Sequence, residues 1–402
     1  MQEGEAREGT GKGRGEETGE EAREVADWSS IVAILVGISA FGLALGLTYP
    51  LVSLLLAGRG ISDGIIGLNA AAMFVGQAVA TLSLPWFSAR IAPARLIIVG
   101  LVIAAFSVLS LAATDDLTIW FLCRFTLGFG INQVFVLGEV WLNVACPDRL
   151  RGRVASAYET SLAGGFALGP LGIPLFGEAH GLALASGAVL LAAAAFLFAL
   201  LSRRSSLVIH AAPKGSIGRF ARTAPVLIAL VATFAFFDAT ALSVLPVYLL
   251  GEGMTAGGAA LAVTVLHLGM IASQPPLGYA LDRLPRLSVA AAAAFASAIG
   301  IALVGLLPGN GWAIWIVLPI LGGTALGLYT CALTLLGQHY HGPQLMAGSA
   351  AFGLAYAVGG GLGPLIAGGM MEYPGPDFMP YIFTVTFLGL AVWLVLRQTR
   401  LR

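Results

Sequence analysis

"GYALDRLPR", residues 278–286, places one aspartate and two arginines between two long apolar stretches. A similar stretch, "PWFSARIAPAR" at 85–95, keeps two arginines but has Ala89 where the aspartate would stand. Basic clusters between apolar runs are expected where a chain leaves a bilayer, so the nature of the flanking runs decides the fold. Hydrophobic residues make up 58% of the chain and charged residues only 10%, with a mean hydropathy of +0.89. Soluble domains carry about 25% charged residues. A chain of 402 residues this poor in charge cannot clothe itself in a wetted surface, and lipid is the expected solvent.

A membrane helix needs roughly 20 mostly apolar residues. Twelve runs meet that need: 31–57, 65–87, 96–113, 117–145, 150–177, 181–201, 224–250, 256–281, 287–307, 312–337, 344–371 and 379–396. Glycine and proline are frequent inside them, as is common where helices pack closely in lipid. Residues 1–27 are rich in Glu, Gly and Arg and are expected to form a disordered tail rather than a signal peptide.

Basic residues set the orientation. One set of loops carries Arg90, Arg95, Arg149, Arg151, Arg153, Arg203, Arg204, Lys214, Arg219, Arg222, Arg283 and Arg286. The opposite set holds Arg59 against Asp63, Asp115, Asp116, Glu178, Glu252, Glu372 and Asp377. The expectation is a multi-pass protein of the inner (plasma) membrane with both termini cytoplasmic.

Three pairs of segments recur at offsets of 193 or 194 residues: "AGRGIS" at 57–62 with "LGEGMT" at 250–255, "GGFALGPLG" at 164–172 with "GGGLGPLIAGG" at 359–369, and the two charged stretches above. Three coincidences at one spacing indicate duplication. The fold class predicted is therefore an all-α membrane protein of twelve helices in two pseudo-symmetric six-helix halves. The halves are 28–201 and 224–402, joined by a basic cytoplasmic linker at 202–223.

With this organisation, three motifs carry a resemblance. Gly278, Asp282, Arg283 and Arg286 are similar to the loop motif of the major facilitator superfamily. Arg124-x-x-x-Gly128-x-Gly130 resembles its fourth-helix motif, and Gly169-Pro170 its fifth-helix motif, although Gly172 follows the proline sooner than usual. "GEVWLN" at 138–143, "RGR" at 151–153 and Tyr158 resemble the YcaD-like branch. The resemblance implies a carrier with one central site, exposed alternately to each side. It also implies a cytoplasmic gate in which Asp282 reaches the start of the fifth helix, where Arg149, Arg151 and Arg153 stand. A carboxylate is held there by free backbone N–H groups and the helix dipole. In the damaged copy, Ala89 replaces the carboxylate and its target region, "GQHYHGPQL" at 337–345, has no lysine or arginine. One lock is expected intact and the other lost. Alternatively, these arginines only set topology.

Ionisable residues inside crossings are costly and point to function. On the fourth run, Arg124, Gly128, Asn132, Glu139 and Asn143 share about 100° of arc, with Gln133 opposite. The substrate and proton pathway is expected to use Arg124, Asn132, Glu139, Glu159 and Asp238. Arg124 and Asp238 lie in different halves and are expected near the midplane, where an ion pair between them would form and break. Glu139 and Glu159 share a depth suited to proton carriage, or Glu139 caps the gate instead. His267 reads as a packing histidine. Gly169-Pro170 and Gly363-Pro364 read as hinges, with tight packing between halves as the competing explanation.

Other chemistry finds little support. The net charge of zero argues against a nucleic-acid partner. Cys123, Cys146 and Cys331 lack metal-binding spacing and read as packing residues. No P-loop, GxSxG or HExxH is present, so ATP hydrolysis and membrane hydrolase chemistry have little to stand on. The reading is a non-enzymatic secondary active transporter, a monomer without cofactor or metal, that moves a small organic solute with protons. An uncoupled uniporter and a non-transporting membrane sensor or assembly protein are the alternatives.

Overall fold

The computed structural model describes residues 28–145, 148–202, 216–307, 311–340 and 343–400. Within these, the side chains of 139, 140, 142–145, 148–153, 155, 156, 159, 216, 343, 346, 399 and 400 lie outside the description. Among the described residues every regular element is helical. The first half contains α1 (Trp28–Gly58), α2 (Asp63–Ser88), α3 (Pro93–Ala113), α4 (Leu117–Ala145) and α5 (Asp148–Leu168). A 3-10 turn (Gly169–Leu171), α6 (Gly172–Phe176) and α7 (His180–Leu201) complete it. The short α8 (Ser216–Thr223) precedes the second half: α9 (Pro225–Ser243), α10 (Leu245–Gly251), α11 (Ala256–Ala272), α12 (Gln274–Arg283), α13 (Arg286–Leu306), α14 (Ile314–His339), α15 (Pro343–Glu372) and α16 (Phe378–Arg400).

Eleven of the crossings among the described residues are long and apolar enough to span a bilayer, and the predicted fifth crossing differs. Its first turns carry the arginine-rich sequence of 148–153, so its apolar part shrinks to Thr160–Phe176. Together α5, the 3-10 turn and α6 still run continuously from Asp148 to Phe176 and complete twelve crossings. The seventh and eighth crossings are also broken, at Val244 and Ser273, each followed within three residues by proline. Proline lacks the N–H that would continue the helix ladder. The linker contributes α8, whose Phe220 is buried and meets the Tyr340 ring at 4.9 Å.

The outer surface is apolar. Phe106, Phe196, Leu175 and Leu306 are each more than 70% exposed, a pattern that water would penalise and lipid does not. Charges are spent at the ends. Asp116 caps the start of α4, its Oδ1 accepting from the N–H groups of Thr118 (2.8 Å) and Ile119 (3.1 Å). Arg59 pairs with Asp115 and lies over the Trp120 ring at 4.3 Å.

The duplication seen in sequence recurs in packing. A Cβ added at Gly76 would strike the carbonyl oxygen of Phe125, and one at Gly269 would strike that of Pro319. Likewise Gly128 meets Met73 and Gly322 meets Leu266. The partners on the second and eighth crossings are 193 apart, and those on the fourth and tenth are 194 apart. Both halves therefore cross the same two helices at the same depth with no side chain between them. Such close backbone approach drives helix association in lipid, where burial from water contributes nothing.

The two halves meet chiefly where α2 packs on α15 and α11 on α5, the 3-10 turn and α6. The closest contacts lie toward the end that carries the acidic loops. Gly67 faces the Pro364 carbonyl, Gly368 faces the Asp63 carbonyl, and Gly257 faces Pro174. The Gly64 N–H donates to Glu372 Oε2 at 2.9 Å. The molecule is thus closed between halves at its acidic end.

Candidate functional site

Arg124 is wholly buried between α4, α1 and α2. Its Nε donates to Asn69 Oδ1 and its Nη2 to the Tyr49 carbonyl, both at 3.3 Å, while Nη1 approaches Met73 Sδ at 3.8 Å. The guanidinium also sits 5.5 Å from the Tyr49 ring centroid. No carboxylate pairs with it among the described residues. Guanidinium has five N–H donors, so two remain unused, and the buried Asn69 Nδ2 beside it also lacks an acceptor.

Asp238 is 7% exposed on α9. Its Oδ2 accepts from the Tyr356 hydroxyl of α15 at 2.6 Å, and its Oδ1 lies 3.5 Å from His267 Nε2 of α11. The expected Arg124–Asp238 ion pair is not formed: each charge is held within its own half. Arg124 stands seven residues, or about 10 Å, from the start of α4 at the acidic end. Tyr49 links the two sites by contact: its carbonyl accepts from Arg124, and its ring reaches, through Phe74, the Tyr356 that donates to Asp238.

Aromatic rings bridge the halves between these charges. Tyr49 meets Phe74 at 6.1 Å, and Phe74 meets Tyr356 at 6.4 Å. On the other side Phe166 of α5 stacks on His267 at 6.3 Å. Behind Tyr356 lies Phe234, itself 5.5 Å from Tyr329.

The remaining expected site residues fall as follows. Asn132 is buried and its Oδ1 accepts from Thr81 of α2 at 3.2 Å, so the polar stripe of α4 faces α2. Gln133 is buried against Gly100 of α3. The side chains of Glu139, Glu159, Arg149, Arg151 and Arg153 lie outside the described residues. At the arginine-rich end Asp282 is exposed and makes no hydrogen bond or ion pair among the described residues; Arg283 covers the Tyr279 ring at 4.1 Å. Among the described residues nothing crowds the half-buried Gly278, and Arg286 is half-buried with its Nε unpartnered. Gly169 and Pro170 form the 3-10 break, and Gly169 packs against Gly46 and Leu47 of α1. By contrast α15 runs through Pro364 without a break, with Gly363 pressed on Phe236 of α9.

Tyr49, Asn69, Tyr356 and Glu372 were not singled out from sequence. For Tyr356 and Asn69 no local signal exists, since their partners come from distant helices. For Glu372 there is one: Glu178 stands 194 residues earlier, as Gly64 stands 193 before Gly257. Glu178 is exposed and makes no side-chain hydrogen bond among the described residues, so only one of the two symmetric clasps is closed.

Known proteins share this architecture. Among solved structures, a mutant of the nucleoside transporter NupG superposes with a TM-score of 0.72 at 14% identity, covering 91% of this chain and 99% of that one. A D-xylose–proton symporter superposes with a TM-score of 0.71 at 15% identity, covering 92% and 97%. Among sequences, the uncharacterized MFS-type transporter YfkF of Bacillus subtilis (strain 168) is 27% identical over 374 residues, covering 91% of this chain and 94% of that protein. The uncharacterized MFS-type transporter YcaD of Salmonella enteritidis PT4 (strain P125109) is 26% identical over 368 residues, covering 90% and 95%. The family model of the Major Facilitator Superfamily matches residues 33–345 and 227–401. The twelve crossings, the repeated glycine contacts and these matches agree, and this integral membrane protein belongs to the major facilitator superfamily.

Proposed function

We propose that the protein is a proton-coupled secondary active transporter that moves a small organic solute by alternating access. The observation that carries this reading is the pair of buried charges, Arg124 and Asp238, held in opposite halves on either side of an aromatic layer. Buried ions are costly in lipid. Two ions kept apart at the boundary between halves fit a site that solute and protons occupy in turn. The names of the relatives and of the xylose–proton symporter support the class.

The arginine-rich loops support a cytoplasmic location for that end, together with both termini and the linker at 202–223. The closed acidic end is then the outer gate, and the structure corresponds to an inward-facing state. The lock of Asp282 on the start of the fifth crossing would belong to the opposite, cytoplasmically closed form. Arg124 and Asn69 together offer donors and no acceptor, which favours a solute bearing an anionic oxygen group.

A thermal-shift screen of purified protein against metabolites supplies candidate solutes, since a bound ligand raises the melting temperature. Uptake of each hit into proteoliposomes with and without an imposed pH gradient is the test. Gradient-driven accumulation is expected; flux of a binding solute that ignores the gradient would contradict proton coupling and leave a uniporter.

A further inference from the structure

We infer that Asp238 and His267 form the proton-binding site, with the proton seated between Asp238 Oδ1 and His267 Nε2; this rests on the proton-coupled reading above. The argument starts at the far side of the imidazole. His267 Nδ1 lies 2.8 Å from the Val263 carbonyl oxygen. A carbonyl only accepts, so Nδ1 carries the ring hydrogen. In the neutral ring Nε2 is then a bare acceptor. Among the described residues it has no hydrogen-bond partner, and it faces a second acceptor, Asp238 Oδ1, at 3.5 Å. The other carboxylate oxygen already accepts from Tyr356.

Two acceptors facing each other at 5% and 7% exposure repel. One proton turns the repulsion into a charge-assisted hydrogen bond, which draws such a pair to roughly 2.7–2.9 Å. The proton arrives from water and leaves to water, and no other bond changes. The titratable groups around the pair are the phenols of Tyr356, Tyr49 and Tyr329, with Arg124 beyond Tyr49. The side chain of Glu159 on α5 lies outside the described residues. The covering groups on the opposite half, Phe166 and Phe74, are apolar.

The repeat separates this from ordinary packing. His267 stands 193 residues after Phe74 and occupies its place in the second half. Phe74 on α2 meets Tyr356 of α15, and His267 on α11 meets Phe166 of α5. By the 194-residue offset Phe166 corresponds to Gly360, which is itself pressed on the Phe74 ring, so both rings face the same position of the opposite half. A phenyl ring fills the position in one half. In the other, an imidazole fills it and turns a nitrogen toward a carboxylate. Because Phe166 belongs to the opposite half, parting the halves at the acidic end uncovers the pair and lets water reach it.

The test needs no solute. Wild-type protein in liposomes on a solid-supported membrane is stepped between pH values, and the transient charge displacement is recorded. His267→Phe copies the residue that the first half already uses and so preserves packing; Asp238→Asn removes the carboxylate. Each is expected to reduce the displaced charge at least tenfold while keeping a monodisperse elution profile and a wild-type melting temperature. Wild-type amplitude and midpoint in His267→Phe would overturn the site, as would a wild type that displaces no charge. If the charge movement depends on His267 but no solute ever responds to a pH gradient, the proton site stands and the coupled-transport reading falls.

Discussion

At the residue scale Arg124 is the test case. Its guanidinium ties three helices at once, because the Asn69 side chain on α2 and the Tyr49 carbonyl on α1 accept from the same planar group on α4. Lysine keeps the charge but not the fork. Arg124→Gln is expected to leave buried acceptors unmet, at a cost of about 1–3 kcal/mol. In detergent this should lower the melting temperature by several degrees. Arg124→Lys is expected to recover part of that stability but not solute flux; wild-type flux in the lysine variant would show that the arginine only holds helices together. Arg124 was legible in the sequence because an arginine inside an apolar run is conspicuous. His267 was also visible, yet its meaning was not, since its partners Asp238 and Phe166 lie on two other helices.

Among elements, glycines set how closely the helices approach. A side chain at Gly128 or Gly322 has no space, because the backbone of the crossing helix occupies it. Gly322→Val is expected to destabilise by about 1–3 kcal/mol through overpacking, read as a lower detergent melting temperature. Gly278→Val, at a half-buried position where no described atom stands in the way, is expected to melt like wild type. Equal melting of both variants would refute the packing account. Element existence was readable from hydropathy alone, since roughly 20 apolar residues in a row have few alternatives. The breaks at Val244 and Ser273 were less so, although the prolines that follow them announce a missing N–H. The clasp between α2 and α15 was hidden, because Glu372 looks like any loop acid until Gly64 is placed beside it. Glu372 is exposed, so its bond to a helix N-terminus stabilises the closed acidic end by only about 1 kcal/mol. Glu372→Gln is expected to raise the open population there roughly fivefold.

For the whole molecule the two ends oppose each other. The acidic end is closed by α2 on α15 and by the Glu372 clasp, while Asp282 at the other end makes no bond among the described residues. If the halves rock about a central site, Glu372→Gln and Asp282→Asn must shift the balance in opposite directions. Double electron–electron resonance reads this directly, with native cysteines replaced and spin labels at Gly58 and Tyr373 for the acidic end and at Ala89 and Leu284 for the arginine-rich end. These four positions are exposed, so the labels disturb no packing. The account predicts two distances at each end whose populations move inversely: Glu372→Gln lengthens the acidic-end pair and shortens the other, and Asp282→Asn does the reverse. A single distance at each end, unmoved by either substitution, would contradict alternating access in this protein.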